Sequence, residues 1–244
     1  MQSKFATTSW SQVLAAREAP SSESRRALDV LCRTYWYPVY AYVRRHVGNA
    51  IDAGDLTQSY FAELLEKSYL NDYDPDRGRF RVFLMTSVKH FLSKQREKSE
   101  SRKRGGRADV FSLDARDGEG RYLYEPADRL TPEEIFERRW TLTLLERVLA
   151  RLKARHTELG AGEQFSLLEG YLTGRDADAP YHQIAATLNA SESAVKTAVH
   201  RLRREFGQLL REEIAETVAG ADQVDDEVRH LLGVVSPWRQ PLPD

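Results

Sequence analysis

Apolar residues recur along this chain at spacings of three and four, interrupted by short breaks bearing Gly, Pro or Ser. That is the pattern of amphipathic helices, and it predicts an all-α chain. Thr7 to Arg17 reads as a short helix with Trp10, Val13 and Leu14 on one side, and Glu18 to Ser24, with Pro20, as a break. Arg25 to Val47 reads as a long helix bent or interrupted at Pro38, because proline removes a backbone donor and crowds the preceding turn. Its stripe of Tyr35, Trp36, Tyr37, Tyr40 and Tyr42 is assigned to the core. Gly48 to Gly54 reads as a turn, and Asp55 opens a compact helix, DLTQSYFAELLEK. Leu56, Tyr60, Phe61, Leu64 and Leu65 form the apolar side of that helix; Asp55, Gln58, Ser59 and Glu63 form a polar, acid-rich side.

After the loop SYLNDYDPDRG, Arg79 to Arg104 predicts another long helix. Phe80, Phe83, Leu84, Val88, Phe91 and Leu92 supply its stripe, and Arg79, Arg81, Lys89, His90, Lys94 and Arg96 are placed on its exposed side. Gly105 to Thr131 has no periodicity and reads as a linker between two domains. Thr131-Pro-Glu-Glu then opens a helix with proline at its first position and acids in its first turn. Phe136, Trp140, Leu144, Leu145, Val148 and Leu152 carry it on until Gly160 to Gly162. Glu163 to Leu172 predicts a shorter helix.

Tyr181 to Phe206 has the most specific local pattern. Ile184, Ala185 and Leu188 make the apolar face of a short helix, and Asn189 stands where the chain must turn with positive φ. Ser191 is a favourable N-cap for a second helix, and Glu192 suits the positive end of its dipole. Val195, Ala198, Leu202, Phe206 and Leu209 are assigned to the buried stripe. Ser193, Lys196, Thr197, His200 and Arg204 face the other way, flanked by Arg201 and Arg203. Small polar groups followed by basic ones suit a helix that enters a DNA major groove. An ordinary helical hairpin with a solvated basic face is the alternative.

Charge sharpens this picture. Lys plus Arg number 36 and Asp plus Glu 37 in 244 residues, so nucleic-acid binding has to come from clustered charge. One cluster is the recognition-like helix. Another runs from Lys89 to Arg107, with eight Lys or Arg against two Glu, at the end of a helix that carries Phe80, Phe83 and Phe91; charge beside aromatics suits melted nucleic acid, and a solvated helix end running into a linker is the equal alternative. The chain then turns acidic: Glu212 to Arg229 holds seven Asp or Glu and one Arg, with Val224, Val228, Leu231 and Leu232 as the apolar edge of a final short helix. The single cysteine, Cys32, excludes an internal disulfide and reads as a buried thiol. Asp72, Asp74 and Asp76 imitate the start of a calcium loop, but its sixth and twelfth positions hold Arg77 and Phe83, so calcium is rejected. There is no Cys/His ligand cluster and no phosphate-cradling Gly loop. No enzyme activity, metal or cofactor is expected. No run is long and apolar enough to span a bilayer and no signal-peptide pattern is visible, so a cytoplasmic location is expected.

Two stretches together resemble one family. Asp52-Ala-Gly-Asp55-Leu56-Thr-Gln58-Ser-Tyr-Phe61 is similar to the polymerase-binding helix in region 2 of bacterial RNA polymerase sigma factors, extracytoplasmic-function group of the sigma-70 family. Phe80 to His90 and on through Arg96 resembles the promoter-melting helix that follows it, and Tyr181 to Arg204 resembles the helix-turn-helix of region 4. The runs WYPVYAYVRRH, DPDRGRFRVFL, KHFLSKQREK and ERRWTLTLLERVLARL resemble planctomycete-type members. The resemblance implies two helical domains joined by a flexible linker: a short N-terminal helix over 1–24, region 2 over 25–98, a linker over 99–131, region 4 over 132–213 and an acidic extension over 214–244. It implies that Asp55, Leu56, Gln58 and Phe61 dock on the clamp of the polymerase largest subunit, and that region 4 reaches the polymerase flap. The loop from Tyr69 to Gly78 would hold a base flipped from the minus-ten element, with Arg79, Arg81, Lys89, His90 and Arg96 on DNA. Ser193, Lys196, Thr197, His200, Arg201, Arg203 and Arg204 would meet the minus-thirty-five element. An anti-sigma factor is a further partner that the resemblance admits. Thr57 and Ser59 stand where Val and Glu are common, His90 where Asn is usual, and Asn189 where the turn usually has Gly.

The competing assignment is a free-standing regulator that binds an operator as a homodimer, which leaves Asp55 to Arg96 without a task. For the acidic extension the sequence favours, by a small margin, a solvated helix that lengthens the domain; the other reading is a cover over the basic face of region 4, held by Val224, Val228, Leu231 and Leu232.

Overall fold

The computed structural model describes residues 22–66, 73–74, 78–101, 130–173, 180–215, 217–218 and 220–235. The expected N-terminal helix, most of the loop before Arg79 and the segment 102–129 lie outside them. The described elements are helices: α1 Ser22–Val47, α2 Ala50–Glu66, α3 Phe80–Ser101, α4 Pro132–Glu158, α5 Gly162–Leu168, α6 Gly170–Thr173, α7 Tyr181–Thr187, α8 Glu192–Ala215 and α9 Val224–Val235. No strand occurs among the described residues, so the all-α expectation holds. Two compact units result. The first takes the described residues up to Thr143 together with those from Ala215 onward; the second spans Leu144–Ile214.

In the first unit, α1 runs unbroken through Pro38, its sides held by buried Tyr35, Tyr37, Val39, Tyr40, Tyr42 and Val43. Packing of that apolar face outweighs the lost backbone bond. Ser22 to Ser24 belong to α1 rather than to a break. α2 starts earlier than expected, because Asn49 caps it: its Oδ1 accepts the Asp52 amide at 2.8 Å and its Nδ2 donates to the Asp52 carboxylate at 2.9 Å. Gly54 therefore sits inside a helix. Tyr60 and Leu64 of α2 and Leu84, Val88 and Phe91 of α3 are buried core residues of this unit, with Tyr60 and Phe91 edge to face at 5.6 Å. Cys32 is half-buried rather than buried.

The first part of α4 belongs to this same unit. Its start is a capping box: the Thr131 Oγ1 accepts the Glu134 amide at 3.2 Å, while the Glu134 carboxylate accepts the Thr131 amide at 2.8 Å. Trp140 stacks on Tyr35 with ring centroids 4.2 Å apart, and Phe136 meets Tyr42 edge-on at 6.3 Å. α9 also belongs here, with Val224, Val228 and Leu231 buried and Leu232 exposed. The described part of the acidic extension thus belongs to the first unit.

Burial pushes the hydroxyls of Tyr42, Tyr60 and Tyr73 well above the ordinary tyrosine range, and the Glu133 charge adds to the effect at Tyr42. A raised folded pKa means stability that is complete below the unfolded value of about 10 and is lost as pH rises beyond it. The urea midpoint should therefore stay flat up to about pH 9.5 and fall above pH 10. Tyr42→Phe should shrink that fall. It should also raise stability near neutrality by about 1 kcal/mol, since the Tyr42 hydroxyl has no hydrogen-bond partner among the described residues. An unchanged alkaline slope in Tyr42→Phe counts against this assignment.

The second unit gathers Leu144, Val148 and Leu152 of α4 with Phe165, Leu168, Ile184, Ala185, Val195, Val199, Leu202, Leu209, Leu210 and Ile214. Gly160 ends α4 at φ +74°, and the amides of Gly160 and Ala161 return to the carbonyls of Thr157 and His156 at 3.0 and 2.8 Å. The expected single helix over Glu163 to Leu172 is two short ones, α5 and α6, parted at Glu169. Among the described residues no helix is long and apolar enough to cross a membrane.

Candidate nucleic-acid interface

The second unit presents a basic helix by a tight turn. α7 follows Pro180, and its end is closed by the amides of Leu188, Asn189 and Ala190, which donate to Ile184, Ala186 and Ala185 at 2.9, 3.2 and 2.9 Å. Asn189 carries φ +48°, the conformation that the sequence asked of it. The Ser191 hydroxyl accepts the Ala194 amide at 3.2 Å and so caps α8. The buried stripe of α8 is Val195, Val199, Leu202, Leu209, Leu210 and Ile214. Ala198 and Phe206, assigned to that stripe, are only half-buried, while Val199, Leu210 and Ile214 were not foreseen. The longer helix follows a seam that drifts from the spacing read off the apolar residues alone.

Ser193, Lys196, Thr197, His200, Arg201, Arg203 and Arg204 are exposed. They differ in how they are held. The Lys196 ammonium lies over the Tyr181 ring at 5.7 Å, and Tyr181 stacks on Tyr171 at 4.8 Å. The Arg203 guanidinium donates to the Tyr171 carbonyl at 3.2 Å. Arg201 borders a small cleft with His156, Phe165 and Glu205, where the His156 and Glu205 side chains are 3.1 Å apart. The face can offer cations to phosphates and hydroxyl, imidazole and guanidinium groups to base edges.

On α2 the polar face divides. Gln58 and Ser59 are exposed, and Asp55 and Leu56 are half-buried. Phe61, expected on the docking face, is 6% exposed and packs edge to face on Tyr60 at 5.3 Å. Thr57 is fully buried, its hydroxyl donating to the Ala53 carbonyl at 2.7 Å. The departure at Thr57 therefore belongs to the core, and only the one at Ser59 lies on the surface.

The basic side of α3 departs furthest from expectation. His90 and Arg96 are exposed. Lys89 pairs with Glu133 at 2.6 Å, and this hydrogen bond holds the Glu133 carboxyl below the usual carboxylate range. Arg81, placed on the exposed side by its spacing, is only 4% exposed. Its Nε and Nη2 donate to the two carboxylate oxygens of Glu227 at 2.9 and 3.3 Å, and its Nη1 donates to Glu137. The half-buried Arg79 meets the same Glu227 carboxylate at 2.9 Å. The sequence reading did not single out Glu227 as a buried ion-pair partner, although a signal existed. Val224, Glu227, Val228 and Leu231 follow one another at the spacing of a buried stripe, and an acid within such a stripe requires a buried cation.

Residues 31–102 match the family described as Sigma-70 region 2. This match supports a sigma-70 family sigma factor. No curated protein and no solved structure gives a significant match. The matched residues take in most of α1 and all of α2 and α3. Region 2 is the part of a sigma factor tied to promoter recognition and melting, so the match supports interaction with core RNA polymerase and promoter DNA. Trp140 of α4 and Glu227 of α9, which pack in the same unit, lie outside the matched residues.

Proposed function

We propose that the chain is an extracytoplasmic-function-type sigma factor, of the planctomycete kind, acting in the cytoplasm as a promoter-specificity subunit and not as an enzyme. Region 2 docks on the clamp of the polymerase largest subunit through Asp55, Leu56 and Gln58, and its α3 face, with Lys89, His90 and Arg96, meets the melted minus-ten strand. α7 and α8 act as the helix-turn-helix of region 4, which reads the minus-thirty-five element and rests on the polymerase flap. On α8, Lys196, Arg203 and Arg204 hold mainly phosphates, and Ser193, Thr197, His200 and Arg201 approach base edges. An anti-sigma partner is compatible with this reading.

The observation that carries the reading is the pairing, in one chain, of a region 2 match over residues 31–102 with a capped basic helix behind a positive-φ turn at Asn189. A free-standing regulator needs only the second of these. Asp55→Ala with Gln58→Ala tests the docking face, because polar groups on a surface helix change specific contacts with little effect on the core. The double variant should lose most of its association with core polymerase while keeping its helical circular dichroism. Undiminished co-purification removes the docking role from α2.

A further inference from the structure

The most telling feature outside the assigned surfaces is the buried carboxylate of Glu227. It is 1% exposed, in a helix whose other buried residues are Val224, Val228 and Leu231. Burying an ionised carboxylate is costly unless it is fully paired. Here both of its oxygens are engaged, one by Arg81 and the other shared by Arg81 and Arg79. Both arginines lie at the N-terminal end of α3, where the unpaired amides and the helix dipole already favour an anion. Two guanidinium groups converging on one anion at that end match a phosphate as well as a carboxylate, because the planar fork fits either.

α9 has the construction of a removable cover. It is a single helix of 12 residues, held by three buried apolar side chains, the Glu227 carboxylate and a contact of His230 with Glu137 at 3.4 Å. While it is seated, Arg81 is sealed from solvent, and α9 turns outward Asp225 and an Asp226 that is paired with Arg229. Once it leaves, Glu227 regains water, and the Arg79 guanidinium and the Nε–Nη2 edge of Arg81 are available to phosphate while Arg81 Nη1 stays on Glu137, so docking of α9 and binding of DNA are an exchange of one anion for another.

We propose that α9 is an intramolecular lock on region 2: Glu227 occupies the place of a DNA phosphate between Arg79 and Arg81, and α9 docking and DNA binding exclude one another. This rests on the reading that region 2 binds promoter DNA, and it adds the regulation of that same surface. The alternative occupant of the same geometry is a permanent brace, in which α9 stays seated on DNA binding.

The test uses the full-length chain and a fluorescein-labelled single-stranded oligonucleotide of mixed sequence, followed by anisotropy across a salt series. Val228→Asp with Leu231→Asp removes the apolar anchor, and Glu227→Gln removes the anion. Each should tighten oligonucleotide binding by about tenfold at low salt and steepen the salt slope by up to about 1.4, the value for two single-strand phosphate contacts. Adding Arg79→Gln and Arg81→Gln should abolish the gain. No gain in variants that keep wild-type circular dichroism overturns the lock, as does a gain that survives loss of both arginines. Where the variants fail to fold, hydrogen exchange on the wild-type chain decides: α9 amides should lose protection when the oligonucleotide saturates the protein, and unchanged protection favours the brace and overturns the lock. Co-purification of the wild-type chain with core polymerase judges the sigma-factor reading separately. A missing gain with polymerase bound defeats only the lock; a clear gain without polymerase defeats only that reading.

Discussion

Replacing Trp140 with alanine should destabilise the region 2 unit by about 3–5 kcal/mol, a large share of the stability of a domain of this size. The indole is 4% exposed, stacks on Tyr35 and lies within 6.3 Å of Phe80 and 6.0 Å of Phe136 between ring centroids. Truncation removes the transfer free energy of a large ring and leaves a cavity whose aromatic walls can close only in part. Trp140→Phe should recover most of the loss. Urea unfolding of the full-length chain, followed by circular dichroism, measures both. A shift below about 1 kcal/mol for the alanine variant contradicts the packing described. The consequence reaches beyond one residue: a chain cut between the end of the region 2 match and Pro132 should expose Tyr35, Tyr42 and Phe80 and aggregate.

The second large effect belongs to α8. Lys196→Ala with Arg204→Ala should weaken binding of duplex promoter DNA about a hundredfold at low salt and reduce the salt slope by about 1.8, since each phosphate contact on duplex DNA contributes about 0.9. The weakening should be alike for all sequences. Arg201→Ala should behave differently, costing about 1–3 kcal/mol at one position and relaxing the selected base there. Arg203 is a poorer probe of phosphate binding, because its guanidinium also donates to the Tyr171 carbonyl, and its loss disturbs the approach to α7. Binding selections on a randomised upstream element separate the two classes. A consensus untouched by Arg201→Ala, or a salt slope untouched by the double variant, defeats this division of labour.

Local chemistry was legible in the sequence wherever one residue type answers one backbone need. Asn189 takes positive φ, Ser191 caps α8, and Thr131 with Pro132 opens α4. The aromatic stripe of α1 was legible as core for the same kind of reason: large rings at helical spacing have few other places to go. Tertiary partners were not legible. Spacing alone put Arg81 on the outside of α3, because a helical pattern cannot reveal that an acid 146 residues further on returns to bury it. The family resemblance grouped Phe61 with Gln58 on a docking face, whereas Phe61 is buried and Gln58 exposed, in keeping with the apolar side that spacing gave Phe61. The acidic tail was matched by charge to the nearest basic helix in the sequence, yet Val224, Val228 and Leu231 bury within the other unit. Net charge finds a favourable partner class, whereas apolar shape and a single buried ion pair select the actual site.

The most direct test of the whole account is run-off transcription with purified core polymerase on a fragmented genomic library, with and without this protein. Transcripts from discrete start sites should appear only when the protein is present and should share minus-ten and minus-thirty-five elements at a fixed separation. Transcription unchanged by the protein, together with polymerase-independent binding to a palindromic site, would contradict it.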